Sequence, residues 1–208
     1  MDCELKIGAN SPEIHPERKN NWHAKPNSIE AAKIKIKPLL LDGNYIFKKI
    51  PCLSWKELLF GLEHGYIDEK GITTYVCDAL TINAPKEAFE LASIEPQEYY
   101  LVRDLLRSLA CRDSRTEPDI TKPWLFLLLS YLFENKETFE DPLSLIEELY
   151  SDFDYPEEIA PLVRYMPVAE GIVGSEELLI DNWKAALLNY KFTLEQQGRI
   201  FNEAQQIN

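Results

Sequence analysis

The sequence predicts a mainly α-helical, multi-helix, bundle-like domain led by an irregular N-terminal arm with a candidate small β-hairpin. From Ser54 nearly to the end, apolar residues recur at helical spacing, with capping residues before the runs and Gly or Pro after them. The strongest apolar run, Trp124 to Phe133, spans ten residues and is interrupted by Ser130. A membrane-spanning helix needs roughly 20 residues, so this run reads as a buried central helix. Strict alternation appears at Lys33, Ile34, Lys35, Ile36 and Lys37, the pattern of an edge strand whose lysines guard its outer face.

Taken in order, residues 1–27 are polar, without period, and carry prolines at 12, 16 and 26. The turn dipeptide Asp42-Gly43 pairs the alternating segment with Tyr45 to Phe47 as the candidate hairpin. Ser54 and Glu57 form a capping-box pair ahead of Leu58, Leu59 and Leu62, and Gly65 closes that helix. Further helices are expected from Glu69 to Leu80 and from Asn83-Pro85 to Ser93. Another starts at Pro96, with Tyr100, Leu101, Leu105, Leu106 and Leu109 as its apolar stripe. Thr121 with Pro123 opens the central helix, and Asp141 with Pro142 opens the next. Leu149 to Pro167 reads as a helix end, an aromatic corner, and a short helix over 157–165. Pro156 prevents the upstream helix from continuing. Ser175 caps the last long segment, whose stripe is Leu179, Trp183, Ala186, Leu187, Tyr190 and Leu194. Thr193 and Gln196 mark a candidate bend in it. The expected division is an arm at 1–49 and a helical domain at 50–208.

At 45% hydrophobic and 11% aromatic, the 208 residues can fill a core, which excludes global disorder. The four cysteines, Cys3, Cys52, Cys77 and Cys111, form no C-x-x-C pair, which argues against zinc or a disulfide framework and suits a reducing cytoplasm. The N-terminus lacks a signal-peptide pattern. Net charge is −13, and residues 1–60 carry ten Lys or Arg against seven Asp or Glu, so residues 61–208 carry −16. Glu134 to Glu158 holds ten acids against the single Lys136. Such a field repels nucleic acid and anionic lipid and attracts basic partners.

No catalytic residue, metal ligand or cofactor is expected. His15, His23 and His64 include no i,i+4 pair, and no G-x-S-x-G, Walker, G-x-G-x-x-G or H-E-x-x-H pattern occurs. The remaining polar constellation is Asp152, Asp154, Glu157 and Glu158, with Glu147 and Glu148 upstream. Its D-x-D-x-x-E spacing partly matches a calcium loop, but an EF-hand continues D-x-D-x-D-G with a glycine turn, and here Tyr155 and Pro156 intervene. Three readings compete for it: structural capping and solvation, partner binding, and metal-assisted catalysis. Tyr150, Phe153, Tyr155, Tyr165 and Trp183 read as core, or as hot spots beside carboxylates. An alternative buries Arg164 against Asp152 or Asp154.

Tyr150, Asp152, Phe153, Asp154, Tyr155 and Pro156, followed by Tyr165, Met166 and Pro167, resemble the signature block of the bacterial domain-of-unknown-function family 2247. Leu53, Ser54 and Trp55, with Gly61, Gly65 and Tyr66, resemble that family's opening helix. The resemblance covers roughly Ile50 to Leu188. It implies a bacterial, cytoplasmic protein of the small families often found near toxin genes, and brings no catalytic residues. The leading expectation is a non-enzymatic acidic binding protein, an immunity protein that blocks a basic toxin domain. Its partner-binding residues would be Glu147, Glu148, Asp152, Asp154, Glu157 and Glu158, with Tyr155 as anchor. The alternatives are a metal-dependent hydrolase using Asp152, Asp154, Glu157 and Glu158, and a structural subunit of an assembly.

Overall fold

The computed structural model describes residues 39–114, 119–167 and 174–200. Among them every regular element is helical: α1 (Gly43–Lys49), α2 (Trp55–His64), α3 (Glu69–Ala79), α4 (Lys86–Ala92), α5 (Val102–Arg112), α6 (Lys122–Glu134), α7 (Pro142–Asp152) and α8 (Glu176–Gln196). Short 3-10 helices occupy Pro96–Leu101, Lys136–Thr138 and Glu157–Leu162. The fold is mainly α.

The first difference from expectation falls at Asp42-Gly43, which starts a helix instead of turning a hairpin. The Asp42 carboxylate accepts the Asn44 N–H at 2.9 Å, an N-cap bond. Gly43 is needed for close approach: a side chain there would run into the Gly71 carbonyl of α3. Tyr45 to Phe47 is therefore helical, and the expected strand at Lys33 to Lys37 lies outside the described residues.

Most of the other capping signals hold. Ser54 and Glu57 complete their capping box, and Gly65 ends α2 in the left-handed conformation at φ 75°. Asp68, Asp141 and Ser175 cap α3, α7 and α8 through their side chains. In α4 the N-cap is Pro85, which offers no side-chain cap, and Asn83 lies outside the helix. Pro96 opens a 3-10 turn before α5, and this turn leaves Tyr100 74% and Leu101 37% exposed instead of facing inward. The segment after the corner is likewise a 3-10 helix with Pro161 inside it. α8 runs through Thr193 as one helix and ends in a Schellman turn. Gly198, at φ 69°, donates to Glu195 O at 3.0 Å, and Arg199 N–H reaches Leu194 O at 2.9 Å.

α6 lies at the centre, with Trp124 to Ser130 and Leu132 all buried. It packs on α8, α7 and α2. α1 packs on α3, and α4 closes against α3 and α5. The 157–162 segment bridges α7 and α8. One continuous apolar core runs from Leu41 and Ile46 to Trp183 and Leu194.

A buried polar junction ties this core together. The Tyr75 hydroxyl accepts the Leu53 N–H at 2.8 Å and donates to Ile50 O at 3.1 Å. The Trp124 indole N–H donates to Glu57 O at 2.7 Å. Glu57 is fully buried, and its Oε2 accepts both the Ser54 N–H at 2.6 Å and Arg199 Nη1 at 2.7 Å. Arg199 Nη1 also donates to Cys52 O at 3.0 Å. Removing one member of a buried pair strands the other charge in a medium that solvates it poorly. Arg199→Met is therefore expected to destabilise the protein by about 3–5 kcal/mol in urea unfolding. A loss below about 1 kcal/mol, the range of surface pairs, would show that the pair does not hold the junction.

Candidate functional site: an acidic aromatic corner

α7 ends in a second Schellman turn. Tyr155 N–H donates to Tyr150 O at 2.8 Å, and Asp154 N–H reaches Ser151 O at 3.4 Å. Asp154 occupies the left-handed position, at φ 60°, that glycine usually takes. The apolar contact that goes with this turn is also present: the Tyr155 ring meets the Tyr150 ring edge-on at 5.2 Å. Tyr155 itself has φ 60°. That value is unusual for a bulky residue and is opposed by the following Pro156, so the tyrosine is held in strain.

The corner is anchored from beneath. Phe153 stacks on Tyr66 with centroids 5.6 Å apart and planes at 11°, and lies 6.2 Å from Phe60. Phe60 in turn stacks on His64 at 3.9 Å, and Tyr66 leans on Trp124 at 5.8 Å. Burial, and then the Asp152 carboxylate, push the Tyr66 hydroxyl up to about 12.

The structure divides the residues expected to bind a partner into two sets. Glu147 is held internally: Arg164 Nε and Nη2 grip its two oxygens at 2.8 and 3.1 Å, while Nη1 reaches Asp141 at 2.9 Å. Arg164 is thus an exposed clamp between α7 and the chain after 162, and is not buried against Asp152 or Asp154. Glu158 pairs with Lys122 at 2.9 Å. Hydrogen bonds from Arg164 and from Lys122 lower the carboxyls of Glu147 and Glu158, respectively, below their ordinary values. Glu148, Asp152, Asp154, Tyr155 and Glu157 are exposed. No ion pair among the described residues engages those four carboxylates. Burial and the nearby Asp152 charge raise the Glu148 carboxyl. Among the described residues no three His, Cys, Asp or Glu side chains form a group that could hold a metal.

Of the aromatics, Tyr150 and Trp183 are core and Phe153 is half-buried, whereas Tyr155 and Tyr165 stand 57% and 63% exposed. Sequence reasoning missed the Arg164 partners, Lys122, and the Phe60–His64–Tyr66 support. Arg164 lies 17 and 23 residues from Glu147 and Asp141, and no local period signals such a contact.

Two measurements test this geometry. Asp154→Gly relieves left-handed strain and is expected to raise stability by about 1 kcal/mol in chemical denaturation. A loss would mean that the Asp154 side chain stabilises the turn. Glu147 and Asp141 both have lowered carboxyl values, Glu147 through Arg164 and Asp141 first through the Ser144 N–H and then through Arg164. Their contribution is therefore complete above the ordinary carboxylate range and is lost as pH falls through the lowered values. Arg164→Met is expected to flatten the acid limb of the stability–pH curve. An unchanged limb would count against the clamp.

No curated protein and no solved structure matches the chain. A family model does, described as an uncharacterized protein conserved in bacteria (DUF2247), and it matches residues 44–190. The match begins in α1 and ends in α8. It encloses both Tyr66 and Phe153, whose stacked rings join the opening helix to the corner. With its supporting stack and its exposed carboxylates inside that span, the chain belongs to this bacterial family of uncharacterized proteins.

Proposed function

We propose that the protein is a non-enzymatic acidic binding protein whose corner docks a basic partner protein, and that this partner is a toxin domain it neutralises as an immunity protein. One observation carries the reading. A strained, aromatic-anchored turn presents the exposed Tyr155, with Tyr165 exposed beyond the 157–162 segment, among carboxylates that have no internal counter-ion among the described residues. Tyrosine offers large contact area at low conformational cost, and unpaired carboxylates around it steer a cation-rich surface into register. The supporting stack fixes the corner before binding, so little ordering is left for the moment of association. The repulsion between Glu148 and Asp152 would be relieved by an incoming Lys or Arg. Glu147 and Glu158 position the corner through Arg164 and Lys122, and the direct contacts fall to Glu148, Asp152, Asp154, Tyr155 and Glu157. We place the protein in the cytoplasm, a reading supported by the free thiols of Cys77 and Cys111.

The test is capture from a lysate of the native host, first at low and then at high salt. The expected result is a basic protein retained at low salt and released at high salt. The purified pair should bind about tenfold or more weakly after Asp152→Lys with Asp154→Lys. Tyr155→Ala should weaken binding without changing its salt slope. Unchanged affinity after charge reversal would remove the corner from the interface.

A further inference from the structure

We propose that a notch between α4 and the start of α5 is a second docking site, one that takes a basic amphipathic segment of a partner protein. Its floor is Ile94, Leu101 and Leu105, and Glu90, Glu98 and Asp104 stand around it. The cavity measures about 580 Å³, and the described residues lining it include no cation. Two helical faces converge to make it. Glu90 is in the last turn of α4 and Ile94 lies just beyond its end, while Glu98 and Leu101 belong to the 3-10 turn Pro96–Leu101 and Asp104 and Leu105 to the first turn of α5.

The cations of α5 are engaged elsewhere. Arg103 pairs with Glu69 at 3.6 Å, Arg107 with Glu63 at 3.0 Å and Arg112 with Glu87 at 2.6 Å. Glu90 meets Lys86, but that pair is exposed and gives way readily to a better-placed cation. Glu98 and Asp104 make no ion pair among the described residues. Leu101 on the floor is itself 37% exposed, so the floor is open to an incoming side chain.

An apolar floor ringed by carboxylates selects its occupant by charge complementarity. Lys and Arg lay their aliphatic stems on apolar surface and keep the charged head at the rim, and a neighbouring Leu or Ile fills the floor. A neutral apolar segment would leave three carboxylates facing it, and an acidic one would be repelled. The site uses different elements from the corner on α7 and does not rest on the function proposed for that corner.

The experiment titrates the isotope-labelled full chain with a designed leucine–lysine amphipathic peptide and follows backbone amide resonances. A glycine–lysine peptide of equal charge is the control. Saturable shifts are expected at Ile94, Leu101 and Leu105 with the leucine–lysine peptide only. Glu98→Lys with Asp104→Lys should weaken binding about tenfold, and Asp152→Lys should leave it unchanged. Leu101→Asp separates the contributions, because it adds a carboxylate while removing the floor. Binding should weaken, whereas a purely electrostatic contact would tighten. Equal binding of the control peptide, shifts confined to other surfaces, absence of saturable binding, or a dimer of the chain that buries the notch would each overturn the proposal.

Discussion

Glu57 places a carboxylate in the interior, and that single buried charge sets conditions on distant parts of the chain. As third residue of α2 it closes the capping box with Ser54 and so fixes where the helix begins. Its backbone carbonyl receives the indole of Trp124 from the central helix, and its side chain receives Arg199 from beyond α8. A carboxylate in such surroundings is tolerable only when its partners arrive together. The local start of α2, the depth of α6 and the course of the chain after α8 are therefore mutually dependent. The Gly198 turn makes this possible, because it reverses the chain directly after α8 and delivers the guanidinium inward.

The corner after α7 is built on the same kind of turn with a different residue in the critical position. After α8, glycine adopts the left-handed conformation at little cost; after α7, Asp154 must do so, and Tyr155 follows it. The turn still forms because the ring contact to Tyr150 and the stack beneath Phe153 over-determine it. Helix capping and solvent exposure divide the corner between its two faces. The inner face of the corner terminates a helix, and its outer face carries the exposed Tyr155 and carboxylates. The same division separates Glu147 and Glu158, which are held by cations of the chain itself, from Glu148, Asp152 and Glu157, which face solvent.

Much of the helical layout was legible because caps and apolar stripes are local. Ser54 with Glu57, Asp141 with Pro142, and Ser175 announce their helices within four residues. Reading failed where a residue's purpose lay in another element. Asp42-Gly43 has turn chemistry, yet its glycine is there so that α1 can approach the Gly71 carbonyl. Tyr100 and Leu101 fit an α-helical stripe, but a 3-10 turn rotates them outward. In the candidate site, the density of carboxylates was visible in sequence, and their pairing was not. Arg164 and Lys122 select Glu147 and Glu158 through contacts across 17 and 36 residues, distances at which spacing carries no information. The aromatic support from α2 was hidden for the same reason.

The contact between Glu57 and Arg199 joins positions 142 residues apart. Closing so long a loop is entropically demanding, and the loop cannot close until α8 and the turn after it are present. During synthesis, α2 emerges with a carboxylate whose partner has not yet been made. Until Arg199 arrives, water solvates that charge better than the protein interior does, which opposes premature burial of the N-terminal helices. The turn after α8 thus acts on α2 from a distance: full burial of Glu57 waits for synthesis to pass Arg199.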